Sequence, residues 1–140
     1  MTELSLLEGI RQKIRNYFQI SDSEFEDIFD RAKETHIKKG SILYKEGKRY
    51  SEVYIIAKGS ADIIKFNRCI NTVIRGDVLG EMSLVGPKES SATVIASTDM
   101  IVYKFNKDYF DILLNRYPQI NKAIVMESLS RKLQQREAEK

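Results

Sequence analysis

The residues best equipped for chemistry lie between Arg75 and Ala96, in the run RGDVLGEMSLVGPKESSATVIA. Gly76-Asp77 offers a turn, Val78-Leu79 a short buried run and Gly80 a second break, after which Glu81 to Leu84 leave room for one helical turn. Gly86-Pro87 marks a loop, and the β-branched Thr93-Val94-Ile95 returns as a strand. A break followed by a turn aims several free backbone N–H groups at one point, and Ser83, Ser90, Ser91 and Thr93 can add hydroxyls. Groups so arranged hold an anion, as the N-terminus of a helix does. The alternative use of the serines is hydrogen bonding to the local backbone of a turn or strand edge.

Nucleophilic or metal chemistry has little to work with. His36 is the only histidine and Cys69 the only cysteine, and neither sits in a recognisable catalytic pattern. Cys69 reads as a small, partly buried side chain. Alone, it excludes an internal disulfide and a cysteine-rich metal cluster. No Walker-type glycine loop, HExxH or carboxylate-rich calcium loop occurs. The chain is expected to bind rather than to catalyse, with neither metal nor cofactor. A net charge of +3 is too small to argue for nucleic acid without a localised patch, and Lys38, Lys39, Lys45, Lys48 and Arg49 read as a solvated loop face. No apolar run approaches the roughly 20 residues that span a bilayer, and Met1-Thr2-Glu3-Leu4 lacks a secretory pattern. A cytoplasmic location without membrane contact is the expectation.

The elements that must position the 75–96 run follow from periodicity. With 140 residues the chain is long enough for one core and too short for two ordinary domains. Leu6, Leu7, Ile10, Ile14 and Phe18 recur at three- and four-residue steps, predicting an amphipathic helix. Ser21 with Glu24 fits a capping box, and Phe25, Ile28, Phe29 and Ala32 form the apolar stripe of a second helix that packs on the core. From Thr35 to Phe105 short β-rich runs alternate with breaks at Gly40, Gly47, Gly59 and Gly76. Strands are predicted at 41–44, 52–57, 61–66, 70–74, 92–96 and 100–105, with Lys58-Gly59 as a tight hairpin turn. His36 falls near a strand start. Such spacing fits an antiparallel sandwich or barrel without selecting a topology. Asn106-Lys107 can open a helix ending near Tyr117, and Pro118 suits the first turn of a longer one with Ile120, Ile124, Val125, Met126, Leu129 and Leu133 on its apolar face. That face can pack on its own barrel or pair with a second copy.

The 75–96 run resembles the phosphate-binding cassette of cyclic-nucleotide-binding domains, found in catabolite-activator-type bacterial regulators, kinase regulatory subunits and gated channels. Gly80-Glu81-Met82-Ser83-Leu84 matches the first half of that cassette and Ser91-Ala92-Thr93 the end of the second. The likeness extends from Lys39 to the closing helix. It implies a mostly β fold with flanking helices: a double-stranded β-helix (jelly-roll) barrel, N-terminal helices and a long C-terminal helix. The chain would be one domain, 1–140, with N-terminal helices over 1–33, the barrel over 34–106 carrying the cassette at 76–93, and C-terminal helices over 107–140. It also implies a ligand such as cAMP or cGMP, contacted by Gly80, Glu81, Met82, Ser83, Ser90, Ser91, Ala92 and Thr93. Glu81 would accept the ribose 2′-OH, and the N–H groups around Met82 and Ser83 would face the phosphate. The family's phosphate-binding Arg falls on Ser90, or on Ser91 or Ala92 if the loop length differs, and none of these is basic. Lys88 or Arg75 could supply a point charge instead.

Three functions are in view. The first is a regulatory, ligand-sensing module of cyclic-nucleotide-binding type that binds weakly or takes an altered anionic ligand and signals through its C-terminal helix. The second is a domain that has lost the ligand and acts as a protein interaction or dimerisation module through Met126, Leu129 and Leu133. The third is a fragment of a catabolite-activator-type transcription regulator without its DNA-binding domain, since few residues follow Leu133 and direct DNA binding by this stretch is not expected.

Overall fold

The computed structural model describes residues 3–80, 89–120 and 122. Two helices come first, α1 (Glu3–Phe18) and α2 (Asp22–Phe29). Ile14 and Phe18 of α1 are buried; Leu6, Leu7 and Ile10 lie in α1 with side chains outside the described set. The capping box forms as the sequence predicts, with the Glu24 N–H donating to Ser21 Oγ at 3.2 Å and the Ser21 N–H to the Glu24 carboxylate at 3.0 Å.

Eight strands are described: β1 (Lys33–Ile37), β2 (Ile42–Tyr44), β3 (Glu52–Lys58), β4 (Ala61–Lys65), β5 (Arg68–Val73), β6 (Val78–Leu79), β7 (Thr93–Ala96) and β8 (Met100–Asn106). They make two four-stranded antiparallel sheets, β1-β8-β3-β6 (sheet I) and β2-β7-β4-β5 (sheet II). This is the expected mostly β fold with flanking helices.

Sheet I is the middle layer of the molecule. One of its faces, through Val53, Ile55, Ala57, Val78, Tyr103 and Phe105, packs against Ile14, Phe18, Phe25 and Ile28 of the helices. The other, through Ile56, Leu79, Met100 and Val102, meets Leu43, Ala61, Ile63, Val94 and Ala96 of sheet II. A strand buried on both sides has no polar face to alternate with, which is why β3 reads Val-Tyr-Ile-Ile-Ala.

The predicted hairpin at Lys58-Gly59 is corrected. β3 and β4 belong to different sheets, so Gly59-Ser60 carries the chain from one layer to the other. The corner is locked to the 97–99 corner: Ser60 N donates to Thr98 Oγ1 at 3.0 Å, and Ser97 N donates to Ser60 O at 3.0 Å. Gly59 has φ +91°, and a Cβ there would lie 2.8 Å from Thr98 Oγ1. The tight hairpin occurs instead between β4 and β5, at Phe66 and Asn67, both with positive φ (56° and 60°) and with Lys65 facing Arg68. Phe66 therefore leaves the strand predicted for it and stands 66% exposed. β1 begins at Lys33, earlier than the β-rich run reads.

Asn106 caps the helix α3 (Lys107–Arg116), its side chain accepting from Asp108 N at 2.9 Å and Tyr109 N at 3.3 Å. Helical backbone resumes at 118–120, with Pro118 at its first position and Ile120 buried. Val125, Met126, Leu129 and Leu133 lie outside the described residues. The turn after α3 is strapped to α2: the Tyr117 hydroxyl donates to the Asp27 carboxylate, Arg116 Nη1 donates to it at 3.2 Å, and Gln119 Nε2 donates to Glu24 at 3.2 Å. No helix among the described residues is long and apolar enough to cross a membrane.

Gly59→Ala should lower stability by about 2 kcal/mol or more, since an L side chain at that φ is strained and collides with the facing corner; a thermal melt would read this as a Tm loss of several degrees. The strap has a pH signature. The Tyr117 hydroxyl, then Arg116, hold the Asp27 carboxyl below its ordinary value, and the carboxylate in turn raises the Tyr117 phenol above its own. The Asp27 contribution is complete above the ordinary carboxyl range near pH 4 and fades as pH falls through the depressed value. The Tyr117 contribution is complete below about pH 10 and fades as pH rises through the raised one. The Tm deficit of Asp27→Ala should thus be constant from about pH 5 to 9 and shrink at both extremes. A deficit that ignores pH would show that Asp27 acts through packing alone.

Candidate functional site

The cassette leaves sheet I and arrives in sheet II. On the leading side, the turn predicted at Gly76-Asp77 forms, with Asp77 N donating to Ile74 O at 3.0 Å and Ile74 N to the Asp77 carboxylate at 2.8 Å. β6 then pairs with β3, placing Val78 opposite Ile55 and Leu79 opposite Tyr54, both β6 side chains buried. At Gly80 the backbone turns to φ +96° and lies so close to β3 that a Cβ would fall 2.6 Å from Tyr44 Oη and 3.0 Å from Glu52 O. Only glycine meets both conditions without displacing a neighbour.

Glu81, Met82 and Ser83, the residues to which the resemblance gives the 2′-OH and phosphate contacts, lie outside the described residues, as does Lys88. The trailing side is described from Glu89. Here the chain pairs with the β2–β3 loop: Gly47 N donates to Ser90 O at 2.8 Å, Ser90 N to Lys48 O at 2.9 Å, and Glu46 N to Thr93 Oγ1 at 3.1 Å. Arg49 and Glu89 face each other across this bridge, with Arg49 Nε and Nη2 each 2.9 Å from Glu89 Oε1. Ser90 Oγ donates to Ala92 O at 2.6 Å, the local use open to such a serine. Ser91 is exposed, Ala92 buried between the sheets, and Thr93 half-buried at the start of β7.

Three tyrosines line the ground between the two ends. The Tyr44 ring packs edge-on against Tyr50 and Tyr54, with centroids 4.8 and 5.6 Å away. Its hydroxyl donates to Glu52 O at 2.7 Å and also lies 3.3 Å from Leu79 O. The Tyr50 hydroxyl accepts from Lys45 N at 2.7 Å. Tyr54 is half-buried on the face turned to sheet II, and desolvation raises its phenol above the ordinary value. Nothing in the sequence singles out Tyr44, Tyr50, Arg49 or Glu89 as site residues. Their steps in the chain match neither a helix nor a strand, and only the return of the β2–β3 loop brings them to the cassette.

The remaining chemically capable residues lie elsewhere. His36 is exposed on β1 with Nε2 3.8 Å from Glu34. Cys69 is exposed on the edge strand β5, not partly buried as its residue type leads one to expect, because its position on the strand points away from sheet I. Lys38, Lys39, Lys45, Lys48 and Arg49 are exposed. Among the described residues no group of three or more His, Cys, Asp or Glu side chains could hold a metal ion.

Comparison with known proteins agrees with this architecture. The chain is 32% identical over 111 residues to the Pycsar effector protein BcPycTIR of Burkholderia cepacia, covering 79% of this chain and 36% of that protein. It is 26% identical over 110 residues to a cAMP-dependent protein kinase regulatory subunit of Schizosaccharomyces pombe, covering 78% of this chain and 27% of that protein. It thus spans little more than a third of the first relative and about a quarter of the second. A solved structure described as Sp-2Cl-cAMPS bound to PKAR CBD2 superposes with a TM-score of 0.72 at 26% identity, covering 86% of this chain and 83% of that one. The catabolite activator protein of Thermus thermophilus shares the fold, with a TM-score of 0.68 at 20% identity over 85% of this chain and 58% of that one. The profile of one family, described as cyclic nucleotide-binding domain, matches residues 34–117, which contain both sheets but for Lys33, the cassette and α3. This chain belongs to the cyclic nucleotide-binding domain family.

Proposed function

We propose that the chain is a regulatory module that binds a cyclic mononucleotide such as cAMP or cGMP weakly, and that it answers through the hinge after α3. The observation that carries this reading is the anchoring of the cassette at both ends: Gly80 is pressed onto β3, and Ser90 is bonded through both N–H and C=O to the β2–β3 loop. Fixing both ends of a segment lowers the conformational cost of arranging its backbone N–H groups around an anion. On the family pattern, Met82 and Ser83 would offer those groups and Glu81 would accept the ribose 2′-OH. The relatives described as a cAMP-dependent kinase regulatory subunit and as bound to Sp-2Cl-cAMPS support a cyclic nucleotide as the ligand class.

Weak affinity follows from position 90, where the family pattern has an Arg and this chain a Ser whose hydroxyl hydrogen is spent on Ala92 O. A guanidinium is a two-pronged, permanently charged phosphate partner. Its loss removes about 1.5–3 kcal/mol, or roughly 10- to 150-fold in Kd. Signalling would pass from the cassette through α3 to the strap that joins Tyr117 and Arg116 to Asp27, and a ligand shifts that hinge only by contacting its two positions unequally. No catalytic step is assigned.

A second reading, an interaction module without a ligand, is favoured by the Ser90–Ala92 and Arg49–Glu89 contacts, with which the trailing arm of the cassette holds its shape alone. Calorimetry separates the two. Titration with cAMP and cGMP should give a Kd in the micromolar range or weaker, and Ser90→Arg should tighten it by one to two orders of magnitude. No heat from either the wild type or Ser90→Arg would reject the sensor and leave the interaction module.

A further inference from the structure

We infer that Tyr44 is a positioning residue of the cassette, its phenol setting the main-chain bend at Gly80. The inference rests on the nucleotide-binding reading above.

Tyr44 reaches both arms of the cassette at once. Its backbone is in register with Val94 on β7, one residue beyond Thr93, while its hydroxyl lies against Glu52 O and Leu79 O at the foot of Gly80. A β-bulge places it there. Ile42 faces Ile95 but Tyr44 faces Val94, so two steps on β2 oppose one on β7. The extra residue turns Tyr44 inward beside Leu43 when simple alternation would leave it outside with Ile42. It is 4% exposed and clasped by the Tyr50 and Tyr54 rings, so the phenol has little freedom to move. The hydroxyl also fills the space that a side chain at residue 80 would need, 2.6 Å from the would-be Cβ. Tyr44 and Gly80 thus fit as a pair, one supplying the atom for which the other leaves room.

Tyr44→Phe removes that atom and little else. The expected result is a Kd for cAMP about tenfold higher, beyond any effect of a lowered Tm, because the protein that remains folded carries a misplaced bend. A purely structural role would lower Tm and leave the Kd of the folded chain unchanged. Gly80→Ala should also weaken binding at least tenfold. In the double variant the loss should be smaller than the product of the single losses, since the hydroxyl that the new methyl would strike is gone. Should Tyr44→Phe not fold, the wild type still decides: cAMP should shift the amide resonances of Gly80 and Glu52, and binding that moves neither would overturn the inference. If the wild type binds neither cAMP nor cGMP, the nucleotide-binding reading fails and this inference with it. If the wild type binds and Tyr44→Phe binds equally well, the inference alone fails.

Discussion

Burial of sheet I on both faces is the constraint from which the rest of the molecule follows. β3 and β8 form its centre, and their side chains alternate between two cores: Val53, Ile55, Tyr103 and Phe105 face the helices, while Ile56, Met100 and Val102 face sheet II. Neither core exists without this layer. Among the described residues, the helices cover the first face of this layer and the inner face of sheet II packs on the second. Aromatic contacts tighten the helical side, where Phe29 meets Tyr103 and Phe105 edge-on with centroids 4.9 and 5.4 Å away and Phe105 stacks on Phe110.

That rigid layer gives the cassette its footing. β6 is a two-residue edge strand, too short to hold a loop by its own hydrogen bonds, yet both of its side chains are buried and it lies against the central strand β3. The cassette therefore starts beside a buried central strand. Its other end is secured mainly by backbone hydrogen bonds to the β2–β3 loop. The one charged contact described there, Arg49 with Glu89, joins two exposed side chains and is open to screening by salt.

The strap between α2 and the turn after α3 joins the beginning of the described chain to its end. Asp27 receives Tyr117 and Arg116, Glu24 receives Gln119, and the Tyr109 hydroxyl lies 3.5 Å from Asp27 O. These contacts are at the surface, where they can exchange with water at small cost, while Phe110, Leu113 and Ile120 beneath them stay buried. The strap is thus polar and exposed above a buried apolar base.

Short-range chemistry is legible in the sequence. The Ser21 cap, the amphipathic stripe of α2, the Asn106 helix start, the Gly76-Asp77 turn and most strands follow from interactions within a few residues, and those interactions are present whatever the rest of the chain does. The family is likewise legible in the residue types from Gly80 to Thr93. Long-range pairing was different. Whether Lys58-Gly59 closes a hairpin or crosses between sheets depends on which strands lie beside β3, and the answer is β6 and β8. Whether Tyr44 points to solvent or to Gly80 depends on a bulge created by its partner strand. Local sequence settles backbone preference and the type of element because those energies act between near neighbours. The partner of each strand, and hence the atoms that meet at the cassette, is settled by contacts between residues tens of positions apart, which form only when the whole core closes.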